Sequence, residues 1–454
     1  MSDWKQARVG DILKIRNGYA VKSSAYSKEG VPLIRQSDIS GDVIDISAAK
    51  RVPTRVMEEC EQYLVRKGDL LIGMSGSLGK IGRYVDEEVA VQNQRTGLLQ
   101  LKPGFSAGFA KLVLKFVEPQ IIAEGKGIAV QNVSAKEIED CTFPLPPEAE
   151  RNRVVAEIEK QFTRLDAGVA SLNRVQAALK LYRASVLKAA CEGRLVPNEA
   201  ELARKENRTY ETSEQLLHGI LKEQREKWNG KGKYKKPAMP SFDLPTLPEG
   251  WVWATVDQLR APERNSITDG PFGSNLKTEH YTKQGPRVIR LQNIGDGVFV
   301  DEQAHISYDH FARLEKHRVF SGDLVIAALG ENPPRACIIP ETVGPSIVKA
   351  DCIRFRTHPD VSARYLNFAL NSEPVRSRTK RISHGVGRPR LNLSEIKSIA
   401  IPVPPVPEQQ RIVQEVELRL SLVDELESAA TLNCERCARL RKAIVIQSFG
   451  HQIS

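Results

Sequence analysis

Nowhere in these 454 residues does an apolar run approach the ~18 residues that a membrane span needs. The opening Met1-Ser2-Asp3-Trp4-Lys5 is polar, and no apolar core of a secretion signal follows it. Cysteine is sparse, an odd set of seven scattered along the chain, which fits a reducing, cytoplasmic setting better than a disulfide framework.

Catalytic signatures are missing as well. His280, His305, His310, His317, His358 and His384 crowd the second half, yet none has the spacing of a metal-ligand pair such as HExxH. Gly73 to Lys80 has the glycines of a phosphate loop, but the spacing is one residue too long. Ile81 also stands where a serine or threonine would hold magnesium, so a turn between strands is expected there. Asn332-Pro333-Pro334 would need an aromatic residue next to stack on a flipped base; Arg335 follows instead, and a turn is the expectation. Cys434 and Cys437 form a lone CxxC inside a helical pattern with no second pair, as small core residues would. The chain therefore reads as non-catalytic, with no metal and no cofactor of its own.

What the chain does have is itself, twice. Phe143-Pro144-Leu145-Pro146-Pro147 runs into Glu150-Arg151-Asn152-Arg153-Val154-Val155, and Ile401-Pro402-Val403-Pro404-Pro405 runs into Glu408-Gln409-Gln410-Arg411-Ile412-Val413, 258 positions later. Trp4 matches Trp251, Arg35 matches Arg290, Gly68-Asp69-Leu70 matches Gly322-Asp323-Leu324, and Glu118-Pro119 matches Glu373-Pro374. A duplication this long means two copies of one structural unit. Two equivalent units suit a partner with two equivalent faces, such as duplex DNA or a pair of identical subunits. A formal net charge of +10 favours a polyanion.

Each copy begins with short apolar runs punctuated by glycine, read as β-rich, followed by a helix near 107–123 or 362–371. After each proline box the period changes. Val155, Ile158, Phe162, Leu165, Val169, Leu172, Gln176, Leu179, Arg183 and Val186 are spaced alternately three and four apart. Val413, Val416, Leu420, Val423, Glu427, Ala430, Cys434, Cys437, Arg441 and Ile444 hold the same places in the second copy. Each pattern predicts a helix of roughly 43 residues, about 64 Å long. Packing the two stripes on each other as an antiparallel coiled coil is the economical way to cover them, with the globular units at opposite ends of a rod. The predicted fold class is α+β: two β-rich globular domains joined by two long helices, with an internal pseudo-two-fold repeat. The expected boundaries are 1–145 and 251–400 for the globular domains, 146–193 and 401–454 for the helices, and 194–250 for a flexible basic linker.

Nucleic-acid contacts have three candidate places in each copy. The most basic is Arg376, Arg378, Lys380, Arg381, Arg388 and Arg390, interspersed with glycine; its counterpart is Lys126, Gln131 and Asn132. Arginine offers a fork for phosphate or for guanine O6 and N7, while asparagine and glutamine pair with adenine. Gln92, Asn93, Gln94 and Arg95 form a second cluster, with Lys349 in the matching stretch Val348-Lys349-Ala350-Asp351. Arg35 and Gln36, matched by Arg290, Gln292 and Asn293, make a third; Lys80, Arg83 and Arg335 complete the set.

In this order and duplication, the chain resembles the specificity subunits of Type I restriction-modification systems. The residues that carry the resemblance are the two boxes at Pro144–Glu150 and Pro402–Gln410, the Gly-Asp-Leu motifs at 68 and 322, Ala189 to Leu195 closing the first helix, and Leu247-Pro248-Glu249-Gly250-Trp251 opening the second copy. Two departures stand out: Arg151-Asn152 replaces the family's usual Gln-Gln, and the first copy keeps only Trp4 of the Leu-Pro-Glu-Gly-Trp opening. The resemblance implies two target-recognition domains, each reading one half of a bipartite, asymmetric double-stranded DNA site. It implies conserved helices that set the gap and bind two modification subunits, which carry S-adenosylmethionine and methylate adenine N6. Two restriction subunits using ATP and magnesium would complete the complex. A coiled-coil scaffold that bridges two proteins without reading sequence is the rival expectation, and a self-sufficient methyltransferase a third, which would require this chain alone to bind the cofactor.

Overall fold

The computed structural model describes residues 4–59, 61–76, 78–127, 131–228, 234–241, 243–385 and 389–450. The contacts gather into two compact units, Met1–Arg174 with Ala430–Ser454, and Val175–Ala429. This division differs from boundaries drawn along the repeat, because the two long helices, Glu148–Cys191 and Val406–Gly450, are shared between the units.

In the first unit, strand Lys5–Arg8 pairs antiparallel with Thr142–Leu145. A six-stranded sheet places Leu70–Gly73 between Thr96–Leu101 and Ile81–Tyr84, and a four-stranded sheet pairs Val31–Ile34 in parallel with Ala90–Gln92. The second unit repeats the plan. Val252–Thr255 pairs with Ala400–Val403, Leu324–Ala327 lies between Cys352–Phe355 and Arg335–Ile338, and Tyr281–Ile289 runs parallel to Ser346–Val348. Registers are retained too: Gln6 faces Pro144 as Trp253 faces Pro402. The Gly-Asp-Leu turns lead into the central strands. Gly68 and Gly322 take left-handed φ values of 96° and 84°, and the next aspartate accepts from the backbone three residues back, Asp69 from Arg66 at 2.8 Å and Asp323 from Phe320 at 2.9 Å. Ser106 and Ser362 cap equivalent helices, each accepting at 3.2 Å from the third amide beyond.

The proline boxes owe their chemistry to a latch. Trp4 Nε1 donates to Glu150 at 3.1 Å, and Trp251 Nε1 to Glu408 at 3.1 Å, tying the first strand of each unit to the start of its long helix. In the second unit Glu408 also accepts from Glu199 N at 2.9 Å, and Gln409 Nε2 donates to Pro404 O at 2.8 Å. The departure at Arg151 leaves this scheme intact. Its Nε donates to Pro146 O, the counterpart of Pro404 O, at 3.3 Å, and its guanidinium lies 4.4 Å over the Phe105 ring.

Each long helix packs at both ends. Val155, Ile158 and Phe162 join the core of the first unit together with Val445 and Phe449; Phe449 touches the rings of Trp4, Phe109, Phe116 and Phe143 at centroid distances of 5.1 to 6.4 Å. In the second unit Ile412, Val413 and Val416 share a core with Val186, Ala190 and Cys191. Within each unit the two helices therefore run antiparallel. All ten heptad positions on each helix are buried or half-buried, while most residues between them are exposed. The seam arginines reach across it: Arg183 to Asp424 and Glu427 in the second unit, Arg441 to Asp166 at 2.9 Å in the first. Arg441 also covers the Phe162 ring at 4.5 Å.

Of the stretch 194–250, read from its charge as a flexible tether, residues 229–233 and 242 lie outside the described residues, and the part before them is folded. It contains helices Glu199–Lys205 and Ser213–Glu226, the second opened by a Thr212–Gln215 capping box. Leu216 and Ile220 enter the second unit's core, and Gln224 Nε2 donates to Gln258 O at 2.9 Å and Arg260 O at 2.7 Å. Lys222, Arg225 and Lys227 occupy the exposed face, so the charges masked an apolar stripe beneath them.

Two glycines pack against the backbone that carries the candidate loops. A Cβ on Gly18 would lie 2.3 Å from Asn93 O, and one on Gly270 2.1 Å from Lys349 C. Gly18→Ala and Gly270→Ala are each expected to lower stability by about 1–3 kcal/mol, read by urea unfolding, because backbone has to move to make room. Glu408→Ala, which orphans the Trp251 and Glu199 donors, is expected to cost about 3 kcal/mol in the same assay. Burial raises the Glu408 carboxyl above its usual 4.5, against the lowering influence of the Glu199 and Trp251 N–H groups. Its contribution is therefore fully present below about 4.5 and declines as pH climbs through the raised value. The stability gap between the parent and Glu408→Gln should narrow over that rise, in urea titrations at stepped pH.

Candidate nucleic-acid interface

In each unit, loops distant in sequence meet at the residue that follows the central strand. In the first unit Met74 N donates to Arg95 O at 3.0 Å, and Met74 O accepts from Val133 N at 3.0 Å. In the second, Ala328 N donates to Asp351 O at 2.9 Å, and Ala328 O accepts from Leu391 N at 2.8 Å. Two residues on, Gly76 N donates to Gln131 O at 2.7 Å and Gly330 N to Pro389 O at 3.3 Å. Lys126 and Asn132 exchange two backbone hydrogen bonds of 2.9 and 2.8 Å, as His384 and Arg390 do at 3.0 and 2.8 Å. A further loop joins when Asn93 N donates to Ile34 O at 3.0 Å, and Lys349 N to Ile289 O at 2.8 Å. Because every one of these bonds is made by backbone, the frame constrains side-chain identity little.

A side-chain contact to a glutamate closes the foot of the third loop in both units, an ion pair of Lys126 with Glu137 at 2.6 Å in the first and His384 Nε2 with Glu395 at 2.7 Å in the second. The same glutamates accept from the helix-capping backbone, Glu137 from Ser134 N at 2.8 Å and Glu395 from Asn392 N at 2.7 Å. The Lys126 ammonium, followed by the Ser134 N–H and hydroxyl, holds the Glu137 carboxyl down at about 2.

The frame separates the candidate residues into two groups. Gln92 is fully buried and donates to Arg16 O at 3.0 Å and Thr96 O at 2.7 Å, and Asn93 is buried and accepts from Arg95 N at 3.2 Å. Asn293 is fully buried too, holding Val300 O at 2.8 Å and Glu302 O at 2.7 Å. These amides satisfy turns and do not face outward. Arg35 is half-buried and pairs with Asp38 at 3.2 Å, and Arg290 pairs with Glu302 at 3.8 Å. Arg376 binds Pro334 O, Asp296 and Asn371 at 2.7 to 3.0 Å, and Arg378 lies 4.6 Å over the Trp253 ring, its pKa lowered by burial. Both are structural arginines of the second unit.

The outward group comprises Lys80, Arg83, Gln94, Arg95, Lys126, Gln131 and Asn132 in the first unit and Gln292, Lys380, Arg381 and Arg390 in the second. Gln36, Arg335 and Lys349 are half-buried, Lys349 standing 5.7 Å over the Tyr281 ring. Arg388 lies outside the described residues. In the second unit one cavity is lined by Tyr281, Arg290, Gln292, Lys349 and Asp351, and a neighbouring one by Phe272, His384, Arg390 and Asp351. Members of all three sequence clusters thus line one wall there, Arg390 alone from the most basic one, and Asp351 belongs to both cavities. Neither Asp351 nor the aromatic Tyr281 and Phe272 stood out by residue type; the register of the duplication, which sets Asp351 opposite Arg95, is the signal that points to the aspartate.

The wall can meet phosphate through the half-buried Lys349 and can present the Gln292 amide and the Arg390 guanidinium to base edges. Lys80 sits in the turn between strands Leu70–Gly73 and Ile81–Tyr84, and Asn332-Pro333-Pro334 forms a bend before strand Arg335–Ile338. Cys434 and Cys437 are half-buried on the helical seam. Among the described residues no group of three or more histidine, cysteine, aspartate or glutamate side chains is placed to hold a metal ion, and no helix is long and apolar enough to cross a membrane.

The model of the Type I restriction modification DNA specificity domain matches residues 1–176 and 278–424 of this chain. The EcoBI specificity subunit of Escherichia coli is 24% identical over 455 residues, covering 99% of this chain and 86% of the relative. The MjaVIII specificity subunit of Methanocaldococcus jannaschii is 20% identical over 471 residues, covering 98% and 91%. A chain from a structure of the type I R-M system superposes with a TM-score of 0.58 at 16% identity, covering 99% of this chain and 98% of that one. The HsdS subunit from Thermoanaerobacter tengcongensis gives 0.50 at 14% identity, covering 99% and 97%, so the fold is common to all three. With the family model lying over both copies of the repeat and the relatives aligned along nearly its whole length, the chain belongs to the Type I restriction-modification DNA specificity family.

Proposed function

We propose that this chain is the DNA-reading subunit of a Type I restriction-modification complex, each unit recognising one half of a split, asymmetric site. One observation carries the reading: a single backbone frame is built twice and presents different side chains each time. A scaffold that merely bridges two identical proteins has no use for that divergence. A reader of two different half-sites requires it, since base identity is read by side chains while the phosphates are alike everywhere.

Exposed lysines and arginines such as Lys80 and Arg83 in the first unit and Lys380 and Arg381 in the second hold the sugar–phosphate backbone and set the register of the duplex. Residues at the frame then meet base edges. The paired helices set the gap between half-sites and carry two modification subunits, which bring S-adenosylmethionine and methylate adenine N6. A base-flipping partner unstacks its target, and a grip on both sides of that base offsets the cost. Restriction subunits, with ATP and magnesium, add cleavage. In this reading the chain binds and positions DNA and transfers no group itself.

Mapping methylated adenines at single-base resolution in cells that co-express this chain with its modification subunit is expected to give a split motif with a fixed gap, lost when the chain is deleted. An active, assembled complex with no split motif would favour the scaffold. Inserting four residues after Leu172 is expected to change the gap while leaving both half-sites intact; an unchanged gap would rule out the helices as the ruler.

A further inference from the structure

The two frames differ at one informative pair of places. In the first unit the residue whose carbonyl accepts from Met74 is Arg95, and the residue before Val133 is Asn132. In the second unit the same two places hold Asp351 and Arg390. Asp351 Oδ1 lies 2.7 Å from Arg390 Nη2. The arginine side chain remains 53% exposed and the aspartate 22%, so the guanidinium is held on one side and open on the other.

The backbone under this pair is fixed from both directions. Ala328 bonds Asp351 through its N–H and Leu391, next to Arg390, through its carbonyl. Arg390 also exchanges two backbone hydrogen bonds with His384. Asp351 has a left-handed φ of 65°, a conformation that aspartate and asparagine adopt more readily than most residues.

Charge decides what such a pair is for. An arginine meant for a phosphate is weakened by a carboxylate 2.7 Å away, which offsets the attraction between guanidinium and anion. A guanine edge is neutral, so the carboxylate subtracts little and instead fixes the plane of the guanidinium, whose remaining N–H groups match O6 and N7. The aspartate can itself accept from a cytosine N4 amine. We propose that Arg390 reads a guanine in the half-site of the second unit and that Asp351 is its positioning residue. This rests on the DNA-reading function proposed above and names the residue that sets one base of its specificity.

The test compares motifs. The parent chain and variants, each with the modification subunit, methylate a plasmid library carrying randomised half-sites, and the methylated sequences are read out. Arg390→Asn, which installs the side chain that the first unit has at the same place, is expected to abolish the preference for guanine at one position of one half-site, a roughly ten- to hundredfold loss of discrimination. The other half-site and the gap should not change. Asp351→Asn keeps the left-handed backbone and removes the charge, and is expected to relax the same position by a smaller factor. Methylation reduced evenly over all sequences, with the guanine preference intact, would assign Arg390 to the phosphates and overturn the proposal. Should Arg390→Asn fail to assemble, Asn132→Arg tests the place from the other unit: a base preference altered only in the first unit's half-site supports it, and an unaltered motif overturns it. A parent complex with no split motif would overturn the DNA-reading function itself, a result distinct from either variant outcome.

Discussion

The antiparallel register of the two long helices is the constraint on which both units depend. Each unit's core needs the first turns of one helix and the last turns of the other, so within each unit the two helix segments have to meet at one alignment. Apolar burial supplies the energy: a side chain such as Val445 or Phe449, removed from water, contributes about 1.5–3 kcal/mol. The reciprocal ion pairs, Arg183 with Asp424 and Arg441 with Asp166, are half-exposed and contribute at most about 1 kcal/mol each. Their role is selection. A slip by one heptad would bring apolar residues together again while separating both arginines from their aspartates, so burial holds the helices and charge chooses their alignment.

The Trp–Glu latch connects that alignment to the sheets. Where the first strand is tied to the start of the long helix, the strand that precedes the helix is placed by the same bonds, and the equal registers of the two edge pairs follow. The Arg151 departure illustrates how far side chains can drift under such control. The longer arginine reaches the same carbonyl position as Gln409 and gains an aromatic face, so the motif is broken in letters and conserved in contact.

The duplicated plan and the helical seams were legible because they rest on repetition and periodicity, properties that are local to the sequence. The division of polar loop residues into inward and outward groups was not. Gln92, Asn93 and Asn293 look like base readers by type, yet each satisfies backbone carbonyls or amides: Gln92 reaches Arg16 O across strands distant in sequence, while Asn93 and Asn293 close local turns that residue type alone does not reveal. Arg376 and Arg378 were hidden in the same way, since their partners Pro334, Asp296 and Trp253 lie over 40 residues away. Residues 199–226 misled in the opposite direction: surface charge dominated the composition, and the few apolar residues that fasten the helices were outnumbered. The wall of the second unit became readable only when the duplication was used as an alignment of the chain with itself.

The placement of Phe449 carries a consequence for how the molecule is made. This residue lies at the centre of the aromatic cluster of the first unit, against Trp4, Phe109, Phe116 and Phe143, and it is among the last residues of the chain. As the polypeptide leaves the ribosome, the sheets of the first unit emerge before those of the second, but their core cannot close until the helix that follows the second unit's sheets has been made. During that interval the open aromatic pocket of the first unit is exposed apolar surface of the kind that chaperones cover.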